Sequence, residues 1–265
     1  RLIKVRREEL TGSFSREAVG IITDNDYNTI KVIINNASTF KSGNSIILAM
    51  HACSSVNGFE KRGWKYNNKF KVVFNNLMNL KLNDIDNIII VISTNNNEML
   101  TRFIEVLSKY FNKNLIFIRD ITNKYYDFGK YKIAYKYLTQ QGMSPHYIHL
   151  MNDSFIICEE VGHICDNIVD KLKTKDFIGI VDSLDILPHY SSWWLVIKRG
   201  LYEKYFDEMA LVNHKDISQT FLEKKYRTVL RNEVIPSNKI IRDPSFNCDF
   251  LFSRLALIFG SMSLE

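Results

Sequence analysis

Several features that often identify a function are missing from this sequence. No apolar run is long enough to span a bilayer, and no stretch has the pattern of a signal peptide, so an integral membrane segment is not expected. There is no GxxxxGK[ST] phosphate loop and no GxGxxG after the first strand, which weighs against ATPase, conventional NAD enzyme and standard methyltransferase readings. Cysteine is sparse: Cys53, Cys158, Cys165 and Cys248 stand at no regular spacing. They read as buried free thiols in a reducing, cytoplasmic setting rather than as a disulfide framework. Cys158, His163 and Cys165 invite a zinc reading. On a helix, however, 158 and 165 are two turns apart while 163 points elsewhere, and no CxxC pair supports the site. An arginine-rich arm, a nucleic-acid motif, internal repeats and low-complexity linkers are all absent.

What is present is ordinary in bulk. The 265 residues are 46% hydrophobic and 24% charged, enough for one large α/β domain with a sizeable core. The net charge of +6 suits an anionic partner such as a nucleotide phosphate, but the lysines are scattered and most belong to solvated faces. A nucleic-acid partner therefore rests on charge alone and is not expected. The chain opens at Arg1 rather than at a methionine and ends in Leu264-Glu265. This reads as a domain cut from a longer protein that carries further domains, with a vector remnant at the end.

Residues 1–44 read as an N-terminal extension. Two short apolar runs, 18–22 and 30–34, flank a polar connector in the manner of a β-hairpin or of two short strands. From residue 45 strands and helices alternate. Strands are expected at 46–50, 88–92, 114–118, 147–151, 177–181 and 193–197, and helices at 70–80, 98–110, 130–138 and 161–172. That alternation implies a mostly parallel sheet covered on both faces. After residue 198 the pattern turns helical, at 201–209, 217–225 and the apolar stretch 250–259. The expected organisation is the extension followed by one domain over 45–265.

Polar residues gather at successive strand ends: His51, Cys53 and Ser54; Ser93, Thr94 and Asn95; Asp120 to Asp127; Asn152, Asp153 and Ser154; Asp182 and Ser183. Open α/β sheets bind ligands at the carboxyl ends of their strands, so this convergence marks a candidate cleft. The triplet Asn152-Asp153-Ser154 is the most telling, because it interrupts an apolar run from Tyr147 to Ile157. Asp127 reads as a helix N-cap that also lines the pocket. His189, Ser191, Ser192 and Trp193 suit sugar binding, with one of Trp193 and Trp194 in the core and the other at the surface. His146, His149 and His163 read as structural.

Four blocks carry a family resemblance: Tyr126-Asp-Phe-Gly129, Leu150-Met-Asn-Asp-Ser154, Gly179-Ile-Val-Asp-Ser183 and His189-Tyr-Ser-Ser-Trp193. In type and order they resemble the rhamnan-synthesis F type of glycosyltransferase, over roughly residues 45–235. The resemblance implies a GT-A-like, Rossmann-type sheet flanked by helices, with a helical C-terminal part. It also implies transfer of a hexose or deoxyhexose, often L-rhamnose, from a UDP- or dTDP-type donor to a glycan acceptor. Asn152-Asp153-Ser154 takes the Asp-x-Asp place beside the donor diphosphate. There Asp153 would hold Mn²⁺ or Mg²⁺, unless a lysine or arginine supplies the countercharge instead. An inverting transfer needs one general base, for which the candidates are Asp216, then His214, then Asp182. The rival reading is a catalytically inactive glycan- or nucleotide-binding module on the same fold.

Overall fold

The strand-forming runs in the middle of the chain are buried on both faces, and the two helical layers that bury them follow from their alternation. The computed structural model describes residues 2–4, 31–35, 43–51, 63–80, 82–94, 97–120, 126–157, 162–184, 187–209 and 226–252. Strands β1 (Leu2–Lys4), β2 (Lys31–Asn35), β3 (Ser45–His51), β4 (Asn87–Ser93), β5 (Asn114–Arg119) and β6 (Tyr147–Asn152) come first. They are followed by β7 (Phe155–Ile157), β8 (Phe177–Ser183), β9 (His189–Tyr190), β10 (Trp194–Lys198) and β11 (Cys248–Phe252). The helices are α1 (Gly63–Asn79), α2 (Asn97–Tyr110), α3 (Tyr126–Gln140), α4 (Gly162–Leu172), α5 (Tyr202–Glu208) and α6 (Ile235–Arg242). A π-helical turn, Leu230–Val234, runs directly into α6.

The main sheet has the order β11-β8-β10-β6-β3-β4-β5-β2, with β9 attached to β8. Strands β3, β4, β5 and β6 are mutually parallel. Between β6 and β8, β10 runs antiparallel to both, so β8 and its parallel neighbour β11 share the direction of β6. The sheet is thus mostly parallel, as expected. Along β3, Ile46, Leu48 and Met50 face one core and Ile47 and Ala49 the other. On β4, Ile88, Ile90 and Ile92 likewise oppose Ile89 and Val91. This two-residue alternation lets an unbroken apolar run serve two layers. The first layer is α1, α2 and α4, whose stripes (Phe70, Val73 and Leu77; Leu100, Phe103 and Leu107; Ile164, Ile168 and Leu172) follow helical spacing. The second is α3, α5 and α6, through Tyr131, Ala134 and Leu138, Tyr205 and Phe206, and Ile240.

The strand at residues 31–35 pairs antiparallel with β5 in the main sheet. The run 18–22, expected as its hairpin partner or as a second short strand, lies outside the described residues. Two expectations change. The apolar stretch expected as a helix from 250 begins instead inside β11, which pairs with β8. The backbone pairing of Cys248 to Phe252 with β8, and aromatic residues that favour strands, outweigh the apolar character that suggested a helix. The rest of that stretch and the helix expected at 217–225 lie outside the described residues. Asp127, finally, is the second residue of α3 and not its cap. Among the described residues no helix is long and apolar enough to cross a membrane. Cys165 is buried and Cys248 half-buried, both as free thiols.

Candidate functional site

The chain passes from β3 outward to β4 and β5 and then returns to the other side of β3 with β6. That reversal makes a topological switch point between the carboxyl ends of β3 and β6, the place where open α/β sheets receive ligands. His51 ends β3 and Asn152 ends β6, so the polar triplet lies at this switch point. The backbone N–H of His51 donates to Asp153 Oδ2 at 2.9 Å and joins the two strand ends. From α1, Lys69 Nζ donates to Asp153 Oδ1 at 2.8 Å and to the Asp153 carbonyl at 3.0 Å. The Asp153 side chain is 4% exposed and that of Lys69 25%, so a buried carboxylate is matched by an ammonium that still reaches solvent.

Asn152 uses both ends of its amide. Its oxygen accepts from the Ser154 N–H at 3.0 Å, which holds the turn after β6, and its Nδ2 donates to Asp127 Oδ2 at 3.1 Å. Asp127 is brought there by α3, which opens with Tyr126 at φ 55°, a left-handed conformation that non-glycine residues rarely adopt. Burial pushes the Asp127 carboxyl up to about 6; Asp153 and Glu233 add to the rise, and Lys130 and Lys69 oppose it. Because the folded-state value lies above the usual one, the stability tied to this group is fully present below about pH 4 and is lost as pH rises through about 6. Asp127→Asn removes that penalty. It should stabilise the protein at pH 8 by up to about 3 kcal/mol, less in proportion to the water that reaches this half-buried side chain, and change little at pH 4. Urea unfolding at the two pH values checks this, and an unchanged difference between variant and wild type would refute it.

A second cluster adjoins the first. The π-helical turn presents Glu233, whose Oε1 accepts from the Ser192 backbone N–H at 3.0 Å and lies 4.0 Å from His189 Nε2. His189 Nδ1 is 2.8 Å from the Leu187 carbonyl, which accepts a hydrogen bond from it, and Nε2 faces the carboxylate. The Ser192 carbonyl accepts from the Tyr131 hydroxyl at 3.2 Å, and burial raises that hydroxyl well above its ordinary value. Lys130 is fully buried, with Nζ 3.3 Å from the Tyr126 carbonyl.

The other expected residues fall as follows. Ser93 and Thr94 are buried at the end of β4, where the Thr94 carbonyl accepts from Arg119 Nε at 2.9 Å. Asp182 and Ser183 pair with Tyr190 and His189. Ser191 and Ser192 are buried. Trp193 is partly buried against the core, and its carbonyl accepts from the Asn152 N–H at 3.1 Å. Trp194 is the core tryptophan, and its Nε1 donates to His149 Nδ1 at 3.0 Å. Burial lowers His149 to about 4, so at neutral pH it is an uncharged structural ring. Cys53, Ser54, Asn95, His214 and Asp216 lie outside the described residues. Sequence reasoning missed Lys69 and Glu233. Neither sits in a motif, and each is known only by contacts made far along the chain, 84 and 41 residues away.

A hard divalent cation at Asp153, which the resemblance implies, does not fit this donor set. One carboxylate oxygen is taken by the Lys69 ammonium and the other by the His51 N–H, and the flanking positions are Asn152 and Ser154. Among the described residues no three His, Cys, Asp or Glu side chains come together as a metal-holding group.

No protein-family model and no curated protein matches the sequence. Among solved structures the chain is similar to a 4-diphosphocytidyl-2C-methyl-D-erythritol synthase from Anaerococcus prevotii, at 12% identity and a TM-score of 0.42, over 84% of this chain and 96% of that one. It is also similar to a protein assigned as a nucleotide-diphospho-sugar transferase from Desulfovibrio desulfuricans, at 13% and 0.44, over 79% and 80%. A third is HddC from Yersinia pseudotuberculosis, at 12% and 0.39, over 69% and 86%. Likenesses of this size fix no residue's role, and the α/β architecture rests on the strand order and the two helical layers themselves.

Proposed function

We propose that this chain is a transferase acting on a nucleotide-diphosphate sugar, and that it moves a hexose or deoxyhexose to a glycan acceptor. One observation carries the reading: Lys69 and the His51 N–H bond Asp153, and Asn152 bonds Asp127, side by side at the switch point between β3 and β6. Such a switch point suits a nucleotide, with its diphosphate beside the partly exposed Lys69. His51, Ser93 and Thr94 would line the nucleoside side. His189, Ser191, Ser192 and Trp193 would form the sugar side, where buried backbone groups and an aromatic face can meet hydroxyls and C–H edges. The general base would be a carboxylate or imidazole: Glu233 facing His189 joins Asp216, His214 and Asp182 as candidates.

The test is thermal unfolding of the chain with UDP, dTDP or GDP. A ligand at about a hundred times its dissociation constant adds roughly 2.7 kcal/mol, a shift of several degrees in the midpoint. A rise with one nucleotide supports the reading and identifies the donor base. If none of the three raises the midpoint, the proposal fails, and a glycan array then decides for the inactive binding module.

A further inference from the structure

We propose that the Lys69 ammonium takes the place of a divalent cation at this site, so that donor binding is independent of metal; this rests on the nucleotide-diphosphate reading above. An ammonium has three N–H donors, and two are directed at Asp153, to Oδ1 at 2.8 Å and to the carbonyl at 3.0 Å. The third is left for a ligand oxygen, on a side chain that remains 25% exposed. A phosphate oxygen meeting that proton would form a charge-assisted hydrogen bond, the kind a lysine makes as a point charge.

The arrangement also opposes a metal. A cation coordinated by Asp153 Oδ1 would have to displace Lys69 or stand within a few ångströms of a like charge. The carboxylate cannot swing away to accommodate both, because the His51 N–H holds Oδ2 at 2.9 Å and the side chain is 4% exposed. Asn152 and Ser154 add no second carboxylate, and Asn152 is already committed to Asp127 and Ser154. Lys69 reaches Asp153 from α1, the helix that connects β3 to β4, so the countercharge is built into the scaffold of the switch point.

Calorimetric titration of the wild-type chain with UDP, dTDP and GDP, in EDTA and then with Mn²⁺ or Mg²⁺, tests this directly. The expected result is a dissociation constant unchanged by EDTA for the nucleotide that binds. Lys69→Ala, checked for folding by circular dichroism, should weaken that binding about tenfold or more in EDTA, and Lys69→Arg should retain most of it. Wild-type binding that requires Mn²⁺ or Mg²⁺ overturns the inference and leaves the transferase reading standing. So does a folded Lys69→Ala that binds as well as wild type. Failure of every nucleotide to bind under both conditions overturns the transferase reading itself and this inference with it.

Discussion

Replacing Asp153 with alanine should cost about 3 kcal/mol of stability and abolish any nucleotide-induced rise in the unfolding midpoint. The carboxylate accepts from the His51 N–H and from Lys69. Its removal leaves a backbone donor and an ammonium without their acceptor at the junction of β3, β6 and α1. Breaking one side of a buried ion pair typically costs about 3–5 kcal/mol. Lys69 keeps a quarter of its side-chain surface in water and can relax outward, which argues for the lower end of that range. Asp153→Asn still offers an oxygen to His51 and should lose about half as much. Urea unfolding gives the measure: the midpoint should fall while the slope stays the same. A loss under about 0.5 kcal/mol for the alanine variant would mean that the pair is screened as an ordinary surface bridge, and its role at the site would fall with it.

Gly179→Ala should be at least as damaging, for a steric reason. A Cβ built on Gly179 in β8 would sit 2.3 Å from Tyr190 Cγ and 2.6 Å from Tyr190 Cβ, closer than real atoms approach. The ring has little room to retreat. It lies 5.0 Å from the Phe177 ring and 6.3 Å from the Phe250 ring, and the Tyr190 N–H is held by Ser237 Oγ at 2.8 Å. Overpacking of this kind costs about 1–3 kcal/mol, sometimes more, and a backbone-anchored neighbour argues for about 3. The same clash would shift β9, which carries His189 beside Glu233. Combining Gly179→Ala with Tyr190→Ala should cost clearly less than the sum of the two single changes, because the second removes what the first strikes. Strict additivity in urea unfolding would show that the clash is relieved elsewhere.

Local sequence pattern revealed the layers better than it revealed the site. β3 and β4 were legible because Ser45–His51 and Asn87–Ser93 are short apolar runs between polar breaks, and α2 because Leu100, Phe103 and Leu107 recur at helical spacing. The return of β6 past β3, and the reversed direction of β10, are long-range pairings with no local signature. The triplet at 152–154 stood out because three polar residues interrupt a buried strand. Lys69 did not: on α1 it is one lysine among several, and only its approach to Asp153 separates it from a solvated face. Asp127 was expected to cap α3. It lies inside the first turn because Tyr126 opens the helix in a left-handed conformation, and its carboxylate meets Asn152 instead. Glu233 was hidden for another reason. No helix was expected between 226 and 242, and the π-helical turn that carries Glu233 departs from the 3.6-residue spacing by which helices are read.

That wide turn makes spacing as important as residue identity in this part of the chain. Three bonds fasten residues 188–192 to the helix: Glu233 to the Ser192 N–H, Ser237 to the Tyr190 N–H, and Asn238 Nδ2 to the Pro188 carbonyl. Glu233 lies within the π-helical turn, and Ser237 and Asn238 follow it in α6. In a regular α-helix each residue turns the chain by about 100°, so losing Arg231 or Asn232 would swing Glu233, Ser237 and Asn238 together out of phase with the turn that precedes them. Substitutions on the outer side of this helix leave that phase intact, whereas a single deletion changes it. For anyone aligning or grafting this segment, the count of residues from 226 to 242 is therefore a stricter constraint than most of the letters within it.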